Sequence, residues 1–357
     1  MRPFVPMDAV RVAVIGAGYW GPNLVRNLNE CPGAQPVAVA DLSEHRLEAI
    51  HKRFPAVRTT KDHRELFDDP SIDAVCIATP VGTHRRLAEE AFAAGKHVFV
   101  EKPIAGGIDD AQAIIRASQR ANKTLMVGHT FVYNPAVVNV RERIVRGDLG
   151  KIYYVDSQRV NLGLHQFDIN VLWDLGPHDV SITLYWLNEE PDWVQSVGAC
   201  YTQNDIEDVV FLTMGFPSGA VAHSHLSWLA PSKLRSMVVI GSQRMAVYDD
   251  VQSVEKVKIY DHGVTELSSE ELRRSYRSGD IRSPQIAGTE ALQMEMRHFV
   301  ECINTGDEPR SGGEAALRVV RVLDAGMRSL HAGGARVAYR QEAPSPEPDA
   351  AEEPAPA

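Results

Sequence analysis

Residues 10–21 read VRVAVIGAGYWG, and this stretch decides the fold of the first part of the chain. The run Val10–Ile15 is short, almost wholly apolar and ends at a glycine, which is typical of a buried β-strand. Gly16, Gly18 and Gly21 follow with Gly-x-Gly-x-x-Gly spacing and open a predicted helix. In this context the first glycine permits a tight turn, the second admits a pyrophosphate and the third allows close helix packing. The stretch therefore predicts a dinucleotide site, with an ordinary cluster of turn glycines as the alternative.

Strands and helices alternate over the first 130 residues. Apolar runs that read as further strands lie at 37–40, 74–78, 98–100 and 125–127, and helical stretches lie at about 19–29, 43–53, 87–94 and 109–121. This alternation predicts a parallel sheet with helices on both faces. We therefore assign residues 1–130 to an α/β domain that binds a nucleotide cofactor.

The pattern changes in the second half of the chain. Strand-like runs between about residues 151 and 260 are joined by short turns, which predicts an open, mostly antiparallel sheet in an α+β domain. Helices are expected at about 178–188, 289–304 and 314–330, and a long polar loop is expected at 261–285. We assign residues 131–340 to this second domain. Residues 341–357 are rich in Pro, Ala and acidic residues, which predicts a disordered tail.

The composition is that of an ordinary globular protein, with 44% apolar and 24% charged residues among 357. The net charge of -10 disfavours nucleic acid and anionic membranes as partners, because both need a basic face. There is no amino-terminal signal pattern and no apolar run long enough to span a bilayer. The four cysteines are far apart and form no Cys-x-x-Cys pair. Disulfides and zinc are therefore poorly supported, and a reducing cytoplasm is expected.

Two further features follow the ends of predicted strands and indicate which cofactor binds. Asp41 ends the second strand, 25 positions after Gly16. A carboxylate there accepts hydrogen bonds from ribose hydroxyls and repels a 2′-phosphate, which favours NAD over NADP. Thr79 and Pro80 follow the third strand, with His84 one helical turn later, and we expect them to form a wall of the nicotinamide pocket. The alternatives are a helix cap for Asp41 and a plain turn and helix start for the other three.

The tripeptide Glu101-Lys102-Pro103 follows the apolar run 97–100 and so lies at the carboxyl end of a predicted strand. Open α/β sheets bind their ligands at that edge. Pro103 fixes its own φ and favours an extended backbone at Lys102, so the ammonium is aimed in one direction. We therefore predict that Lys102 contacts the ligand. The predicted cofactor contacts are Gly16, Gly18, Tyr19, Trp20, Gly21, Asp41, Thr79, Pro80, His84, Glu101 and Lys102.

Asp174 and His178 stand four positions apart in the sequence Asp-Leu-Gly-Pro-His-Asp, so a helical backbone places them on one face. A carboxylate beside an imidazole raises its basicity and fixes its tautomer. Such a base can take a proton from a hydroxyl as hydride leaves the same carbon. The alternative is a helix cap, with Asp174 and Pro177 starting an apolar helix. No second histidine stands at metal-ligand spacing from His178, so no metal is expected.

Taken together, these motifs resemble those of the glucose-fructose oxidoreductase / inositol 2-dehydrogenase / MocA (Gfo/Idh/MocA) family. The glycine loop, Ala78-Thr-Pro80, Glu101-Lys-Pro103 and Asp174-x-x-x-His178 occur in the family's order and spacing, over nearly the whole chain. The resemblance implies a Rossmann domain followed by a substrate and oligomerisation domain with a large open sheet. It also implies a homodimer or homotetramer built on that sheet.

The resemblance further implies that Lys102, Asp174 and His178 carry the catalysis. In that reading Lys102 holds the substrate oxygen and helps to place the nicotinamide, while His178 is the general acid/base tuned by Asp174. Many members carry an aspartate three residues after the histidine, where this chain has Ser181. Asp179 is the candidate that compensates for that difference.

Residues expected to face the substrate lie at the entry to the second domain and in a polar loop before His178. The candidates are His129, Tyr133, Asn134, Asn161, His165 and Gln166. A polar surface loop is the alternative for the last three. We expect an NAD-dependent dehydrogenase acting on a ring secondary alcohol of a sugar or cyclitol, and the sequence phrases around His129 and His178 resemble a branch that often acts on nucleotide sugars. The alternatives are an NADPH-dependent keto-sugar reductase, an NAD-dependent glycosidase and a regulator that binds NAD as a signal.

Overall fold

The structure is a computed structural model that describes residues 9–163, 169–265 and 275–340. Two of the expected substrate residues, His165 and Gln166, and the expected tail at 341–357 lie outside the described residues. Within the described ranges, no helix is both long enough and apolar enough to cross a membrane. The described chain forms two β-sheets with helices packed against them.

The first sheet carries the glycine loop. Its strands are β1 (Val10–Ile15), β2 (Ala34–Ala40), β3 (Arg58–Thr60), β4 (Ala74–Ile77), β5 (His97–Glu101) and β6 (Leu125–Gly128). The helices between them are α1 (Gly21–Asn29), α2 (Glu44–Arg53), α3 (Arg64–Phe67), α4 (His84–Ala93) and α5 (Ile108–Ala121). The described strands are all parallel, in the order β3-β2-β1-β4-β5-β6, which confirms the predicted sheet. The order reverses at β1 and β4, and ligands bind at the carboxyl ends of such strands.

The second sheet follows in the chain. Its strands are β7 (Ile152–Val160), β8 (Trp193–Ala199), β9 (Val209–Gly215), β10 (Val221–Ser227), β11 (Leu234–Gly241), β12 (Met245–Asp249), β13 (Val257–Thr265), β14 (Ser275–Arg282) and β15 (Val337–Ala338). Its helices are α6 (Pro135–Val145), α7 (Val171–Leu187), α8 (Ala291–Thr305) and α9 (Gly313–His331). The order is β14-β13-β12-β11-β7-β10-β9-β8-β15, and of the described pairs only β7 with β10 is parallel. The predicted large, mostly antiparallel sheet is therefore confirmed.

The expectation of a long loop at 261–285 is wrong. The end of β13 and the whole of β14 lie in that range and pair with each other, with Tyr260 opposite Ile281 and His262 opposite Ser278. β14 is an edge strand, and its side chains from residue 276 to 282 are exposed. Because neither of its faces is buried, its sequence lacks the alternation of apolar and polar residues that identifies a strand.

Helix α7 begins at Val171, well before the predicted start near residue 178. The Asn170 side chain accepts a hydrogen bond from the Trp173 main-chain N–H at 3.2 Å, as an N-cap residue does. Pro177 therefore lies inside the helix rather than at its start. The consequence is that Asp174 and His178 both lie within one continuous helix.

Helices α8 and α9 return from the second sheet to pack against the first. Phe299 of α8 meets Phe99 of β5 edge to face, with ring centroids 5.8 Å apart. Leu317 and Val320 of α9 are buried in a separate cluster of the same sheet, which includes Val98 and Val100 of β5. These two helices show that the carboxyl-terminal part of the described chain contributes to the cores of both sheets. The proposed division into residues 1–130 and 131–340 remains a prediction.

Replacing Phe299 by Ala should therefore destabilise the first sheet as well as α8. The side chain is fully buried, and loss of a buried phenylalanine destabilises a protein by about 3–5 kcal/mol. The measurement is the free energy of unfolding in urea. Met294→Ala is the matched control, since Met294 lies on the same helix but is 38% exposed, and it should change stability by less than about 1 kcal/mol. An equal loss in both variants would contradict the packing described.

Candidate active site

The glycine loop between β1 and α1 has the geometry that a dinucleotide requires. Gly16 has a φ of 99°, and a Cβ placed on it would lie 2.4 Å from the main-chain oxygen of Ala78. A Cβ on Gly21 would lie 2.1 Å from the main-chain oxygen of Gly16. At Gly18 the nearest atom to such a Cβ is Nη1 of Arg46, at 4.0 Å, so the backbone there is open to a ligand. The first and third glycines are thus required by close packing, and the second leaves room for a phosphate group.

A cavity of about 560 Å³ lies beside this loop. This volume falls within the range of about 300–1,000 Å³ that is usual for ligand sites. Five of the predicted cofactor residues line it: Gly16, Gly18, Asp41, Thr79 and Pro80. Four basic side chains that sequence reasoning missed also line it: Arg46, Lys61, His63 and Arg86. Tyr19 and Trp20 lie on the surface next to the loop, 83% and 39% exposed.

Asp41 lies at the carboxyl end of β2 with its carboxylate directed at main-chain donors. Oδ2 accepts from the N–H of Ala17 at 2.7 Å, and Oδ1 accepts from the N–H of Ser43 at 2.8 Å. Nη1 of Arg46 lies 3.6 Å from Oδ2. Two carboxylate oxygens offer about four acceptor positions, so the side chain has capacity left for a ribose hydroxyl. The same carboxylate holds the glycine loop against β2.

His84 is 2% exposed and lies between two turns. Its Nε2 is 2.9 Å from the oxygen of Thr79, and its Nδ1 is 3.0 Å from the oxygen of Pro103. Burial is the main effect on its pKa and lowers it, and a neutral imidazole has one N–H to donate. The neutral ring can donate to only one of these two carbonyl oxygens at a time, so His84 packs between the two turns and bonds one of them. The ring has no exposed edge for a ligand.

Lys102 extends from the end of β5 to α7. Its Nζ donates to the main-chain oxygen of Asp174 at 3.0 Å. Burial lowers the pKa of Lys102, while the negative charges of Asp174 and Glu101 oppose that effect. An ammonium has three N–H donors, so one contact with α7 leaves donors for a bound oxygen. The Lys102–Pro103 peptide bond is cis.

The expected pairing of Asp174 with His178 differs in the structure. Oδ2 of Asp174 accepts from Nε1 of Trp228 at 2.9 Å, and Nδ1 of His178 has no hydrogen-bond partner among the described residues. The pKa of His178 is well below its usual value, first because of burial and then because of the positive charges of Lys102 and Arg159. In this structure the Asp174 carboxylate therefore bonds Trp228 rather than Nδ1 of His178, and the tuning of His178 by Asp174 remains a prediction. The indole N–H of Trp228, a residue 1% exposed, needs an acceptor and takes the carboxylate.

Asp179 also does not contact the catalytic candidate. Its Oδ1 accepts from Nε of Arg159 at 2.6 Å in an ion pair whose two side chains are 2% and 4% exposed. Arg159 in turn lies over the ring of Phe131, at 4.6 Å, and Phe131 meets the His178 ring edge to face at 4.9 Å. Asp179 therefore fixes the position of Arg159, and the Phe131 ring contacts both that guanidinium and the imidazole. The hydroxyl of Ser181 donates to the main-chain oxygen of His178 at 2.8 Å.

The remaining substrate candidates occupy different places. The hydroxyl of Tyr133 bonds Ser311 at 3.1 Å within the core, and Oδ1 of Asn134 caps α6 by accepting from the main-chain N–H of Ala136. Neither directs its polar group at Lys102. Asn161 directly follows the end of β7 and is partly exposed. His129 is 3% exposed, and burial lowers its pKa to about 3.

Glu101, the residue before Lys102, and Glu295 are two buried carboxyl groups whose charges interact. Glu101 is 8% exposed, and burial raises its pKa to about 7. Glu295 of α8 is fully buried, and its pKa is raised further, first by burial and then by the charge of Glu101. Oε2 of Glu295 accepts from the hydroxyl of Thr130 at 2.7 Å. Sequence reasoning missed Glu295, because it is almost 200 positions from Glu101 and in a different sequence segment.

Lys102 also lines a cleft of about 520 Å³ between the two sheets. Pro80 and Pro103 contribute from the first sheet, and Asn170 and Trp173 contribute from the start of α7. This cleft adjoins the cofactor cavity through Pro80, which lines both. In the described ranges, no three His, Cys, Asp or Glu side chains come together as a metal site, and the expectation that no metal is used remains a prediction.

Comparison with known proteins identifies the family. Residues 10–129 match the model described as an oxidoreductase family with an NAD-binding Rossmann fold, and residues 137–247 match the GFO/IDH/MocA C-terminal domain. The chain belongs to the Gfo/Idh/MocA oxidoreductase family. The predicted enzyme class, the NAD-binding Rossmann domain and the predicted family are thereby confirmed.

Several relatives in this family match along nearly their whole length. The scyllo-inositol 2-dehydrogenase (NAD(+)) of Bacillus subtilis is 28% identical over 84% of this chain and 88% of that protein. The myo-inositol 2-dehydrogenase of Thermotoga maritima is 25% identical over 90% of this chain and 96% of that protein. A solved structure of UDP-N-acetylglucosamine 3-dehydrogenase from Acidithiobacillus ferrooxidans is 26% identical, has a TM-score of 0.78 and covers 92% of this chain and 99% of that chain.

Replacing Glu101 by Gln should change how stability depends on pH. The pKa of Glu101 is raised from 4.5 to about 7 in the folded protein, so its contribution to stability is present below pH 4.5 and lost as pH rises through about 7. Relative to the wild type, the variant should gain about 3 kcal/mol between pH 5 and pH 8. Urea unfolding at the two pH values measures this. Glu48→Gln, at an exposed position of α2, is the control, and its stability should differ from that of the wild type by the same amount at both pH values. If the stability difference of Glu101→Gln is also the same at both pH values, the burial argument is refuted.

Proposed function

We propose that this protein is an NAD-dependent dehydrogenase that oxidises a ring secondary alcohol of a sugar, with a nucleotide sugar as the preferred substrate class. The observation that carries the proposal is the hydrogen bond from Lys102 to the main chain of Asp174. It joins the ligand-binding edge of the first sheet to the helix that carries His178. The UDP-N-acetylglucosamine 3-dehydrogenase among its relatives supports a nucleotide sugar, and the inositol dehydrogenases support a cyclitol as the alternative.

The residues beside the glycine loop fit NAD. Gly18 leaves open backbone for the pyrophosphate, and Asp41 retains acceptor positions for a ribose hydroxyl. When bound, NAD supplies the acceptor for the hydride that leaves the alcohol carbon. In the proposed site Thr79 and Pro80 close one side of the nicotinamide pocket, and His84 holds their turn in place.

Lys102 and His178 have different roles at the alcohol oxygen. Lys102 donates a hydrogen bond to that oxygen and, as a cation, stabilises the negative charge that develops on it when the proton leaves. His178 accepts the hydroxyl proton on its imidazole. The C–H bond breaks with its electron pair leaving as hydride, the O–H bond breaks with the proton passing to His178, and a C=O bond forms. Asp174 acts through its carbonyl on Lys102 and through its carboxylate on Trp228.

The lowered pKa of His178 keeps the imidazole in the proton-accepting form that the oxidation step needs. Burial and the nearby charges of Lys102 and Arg159 keep the imidazole neutral at neutral pH. A neutral imidazole can take a proton from an alcohol at once, whereas reduction of a ketone needs a donor that is already protonated. In the reverse direction His178 returns the same proton to the oxygen, and Lys102 holds that oxygen in both directions.

One observation favours the reductase alternative. Arg46 and Lys61 line the cofactor cavity beside Asp41, where the ribose would lie. Basic side chains in that position can bind a 2′-phosphate. A comparison of NADH and NADPH as reductants for a keto-sugar separates this alternative from the dehydrogenase. An NAD-dependent glycosidase would release an aglycone without net formation of NADH, and a regulator would bind NAD and turn over no substrate.

Replacing Lys102 or His178 by Ala should lower kcat by about 10²–10⁴-fold, because each removes a group that acts on the reacting oxygen. The measurement is the absorbance of NADH at saturating NAD, over a panel of nucleotide sugars, free sugars and cyclitols. Lys151→Ala and His51→Ala are the controls, since both residues are exposed and far from the cleft in sequence. Full turnover by the Lys102 and His178 variants on the best substrate would refute the assigned roles.

We also propose that a second copy of this chain covers the open face of the second sheet, in a homodimer or a dimer of such dimers. Val197 of β8 lies opposite Phe211 of β9, and Val221 of β10 lies opposite Tyr154 of β7 on the same face. These four side chains are 54%, 42%, 38% and 46% exposed. Large apolar side chains exposed on one face of a sheet are typical of a protein interface. The cytoplasm remains the expected compartment, on the argument from the four separated cysteines.

Replacing Phe211 by Lys should therefore lower the oligomeric state, because it buries a charge at the centre of the proposed interface. Sedimentation velocity over a range of protein concentrations measures the effect. Val254→Lys is the control, because Val254 is 80% exposed in the turn between β12 and β13. A wild-type protein that is monomeric at micromolar concentration would contradict the proposal.

A further inference from the structure

A separate cavity of about 220 Å³ lies between α7, α9 and the segment that follows β6. We call it the arginine cavity, because Arg141, Arg310 and Arg318 all line it. His129 and Ser181 form part of its wall, and none of the glycine-loop residues does. It is therefore distinct from both the cofactor cavity and the cleft at Lys102.

Two of the guanidinium groups are held in place by the protein. Nη1 of Arg141 donates to the oxygen of Trp186 at 2.8 Å, and Nη1 of Arg310 donates to the oxygen of Val132 at 3.0 Å. Both groups also lie against the ring of Tyr185, at 5.7 and 5.5 Å from its centroid. A guanidinium has five N–H donors, so each keeps most of its donors for another partner.

The arginine cavity lacks an acidic side chain to balance these charges. Among the described residues, no carboxylate lies within 4.0 Å of the guanidinium of Arg141, Arg310 or Arg318. The acidic neighbour of Arg141 in the chain, Glu142, pairs with Arg146 instead. Three cations around so small a volume repel one another. An anion in the cavity would remove that repulsion and use the free donors.

His129 supplies a second, independent sign of a missing partner. It is 3% exposed, it lines the cavity, and neither of its ring nitrogens has a hydrogen-bond partner among the described residues. Buried polar atoms in folded proteins are nearly always paired. An oxyanion in the cavity would accept the one N–H of the neutral ring.

We infer that the arginine cavity binds a small oxyanion of the phosphate class, either free phosphate or the phosphate group of a small metabolite. Guanidinium groups match phosphate oxygens with two parallel hydrogen bonds, which favours this class over halides. The cavity is smaller than the usual range of about 300–1,000 Å³ for larger organic ligands, so a dinucleotide does not fit. His129 contacts both this cavity and the surroundings of Lys102, whose charge acts on it.

The test is isothermal titration calorimetry with inorganic phosphate at constant ionic strength, with and without saturating NAD. We expect one saturable site that persists when NAD fills the glycine loop. Arg318→Gln should weaken binding at least about tenfold, the usual effect of losing one charge-assisted hydrogen bond. No hydrogen bond or ion pair of the Arg318 side chain is found among the described residues, so the variant should fold. Arg116→Gln, at an exposed position of α5, should bind as the wild type does.

A second variant distinguishes loss of the phosphate site from loss of folding. Ser181→Asp introduces a carboxylate into the wall of the arginine cavity, so it should abolish phosphate binding while raising the thermal midpoint. Glycerol phosphate in place of inorganic phosphate distinguishes the two sources, since tighter binding of the ester indicates a metabolite. The inference is wrong if the wild type binds no phosphate, if NAD abolishes the binding, or if either cavity variant keeps wild-type affinity.

Discussion

The hydrogen bond from the Lys102 ammonium to the main-chain oxygen of Asp174 is the contact on which the rest of the candidate site depends. Lys102 directly follows β5, and Asp174 lies in the first turn of α7. The acceptor is a main-chain atom inside a helix, so the position of the helix sets it and no side-chain rotation can move it. His178 lies one turn further along α7. Any shift of α7 against the first sheet would therefore displace the imidazole and the anchor of the ammonium together.

The electrostatics of the site follow from the crowding of cations around this contact. Lys102 and Arg159 both lower the pKa of His178, and burial acts in the same direction. The ion pair of Arg159 with Asp179 neutralises one of these charges locally and is almost wholly buried. Removal of either partner would leave an uncompensated charge, which is strongly destabilising. The pair thus serves to hold Arg159 over Phe131 and to limit its effect on the imidazole.

The sequence predicts most of the fold and the places where ligands bind, because parallel strands carry their carboxyl ends to one edge. Gly16, Asp41 and Lys102 could be found in this way without knowing any distance. The orientation of a side chain within a helix could not be found from the sequence. Four-residue spacing places Asp174 and His178 on one face, but Trp228 takes the carboxylate, and its indole comes from the end of β10, 54 positions away. Sequence spacing carries no signal for such a partner.

Glu101, which precedes Lys102 in the chain, and Glu295 of α8 form a pair of buried carboxyl groups. Through this pair, the packing of α8 against the first sheet affects the surroundings of the catalytic candidate. The charge of Glu101 supports the ammonium of Lys102, while burial acts to keep Glu101 protonated. The charge of Glu101 adds to burial in raising the pKa of Glu295. Titrations of groups that interact this closely belong to the cluster rather than to one residue. Glu295 reaches the cluster only because α8 packs against β5 through Phe299. The electrostatic surroundings of Glu101 therefore include a residue from a helix that joins this part of the protein only through tertiary packing.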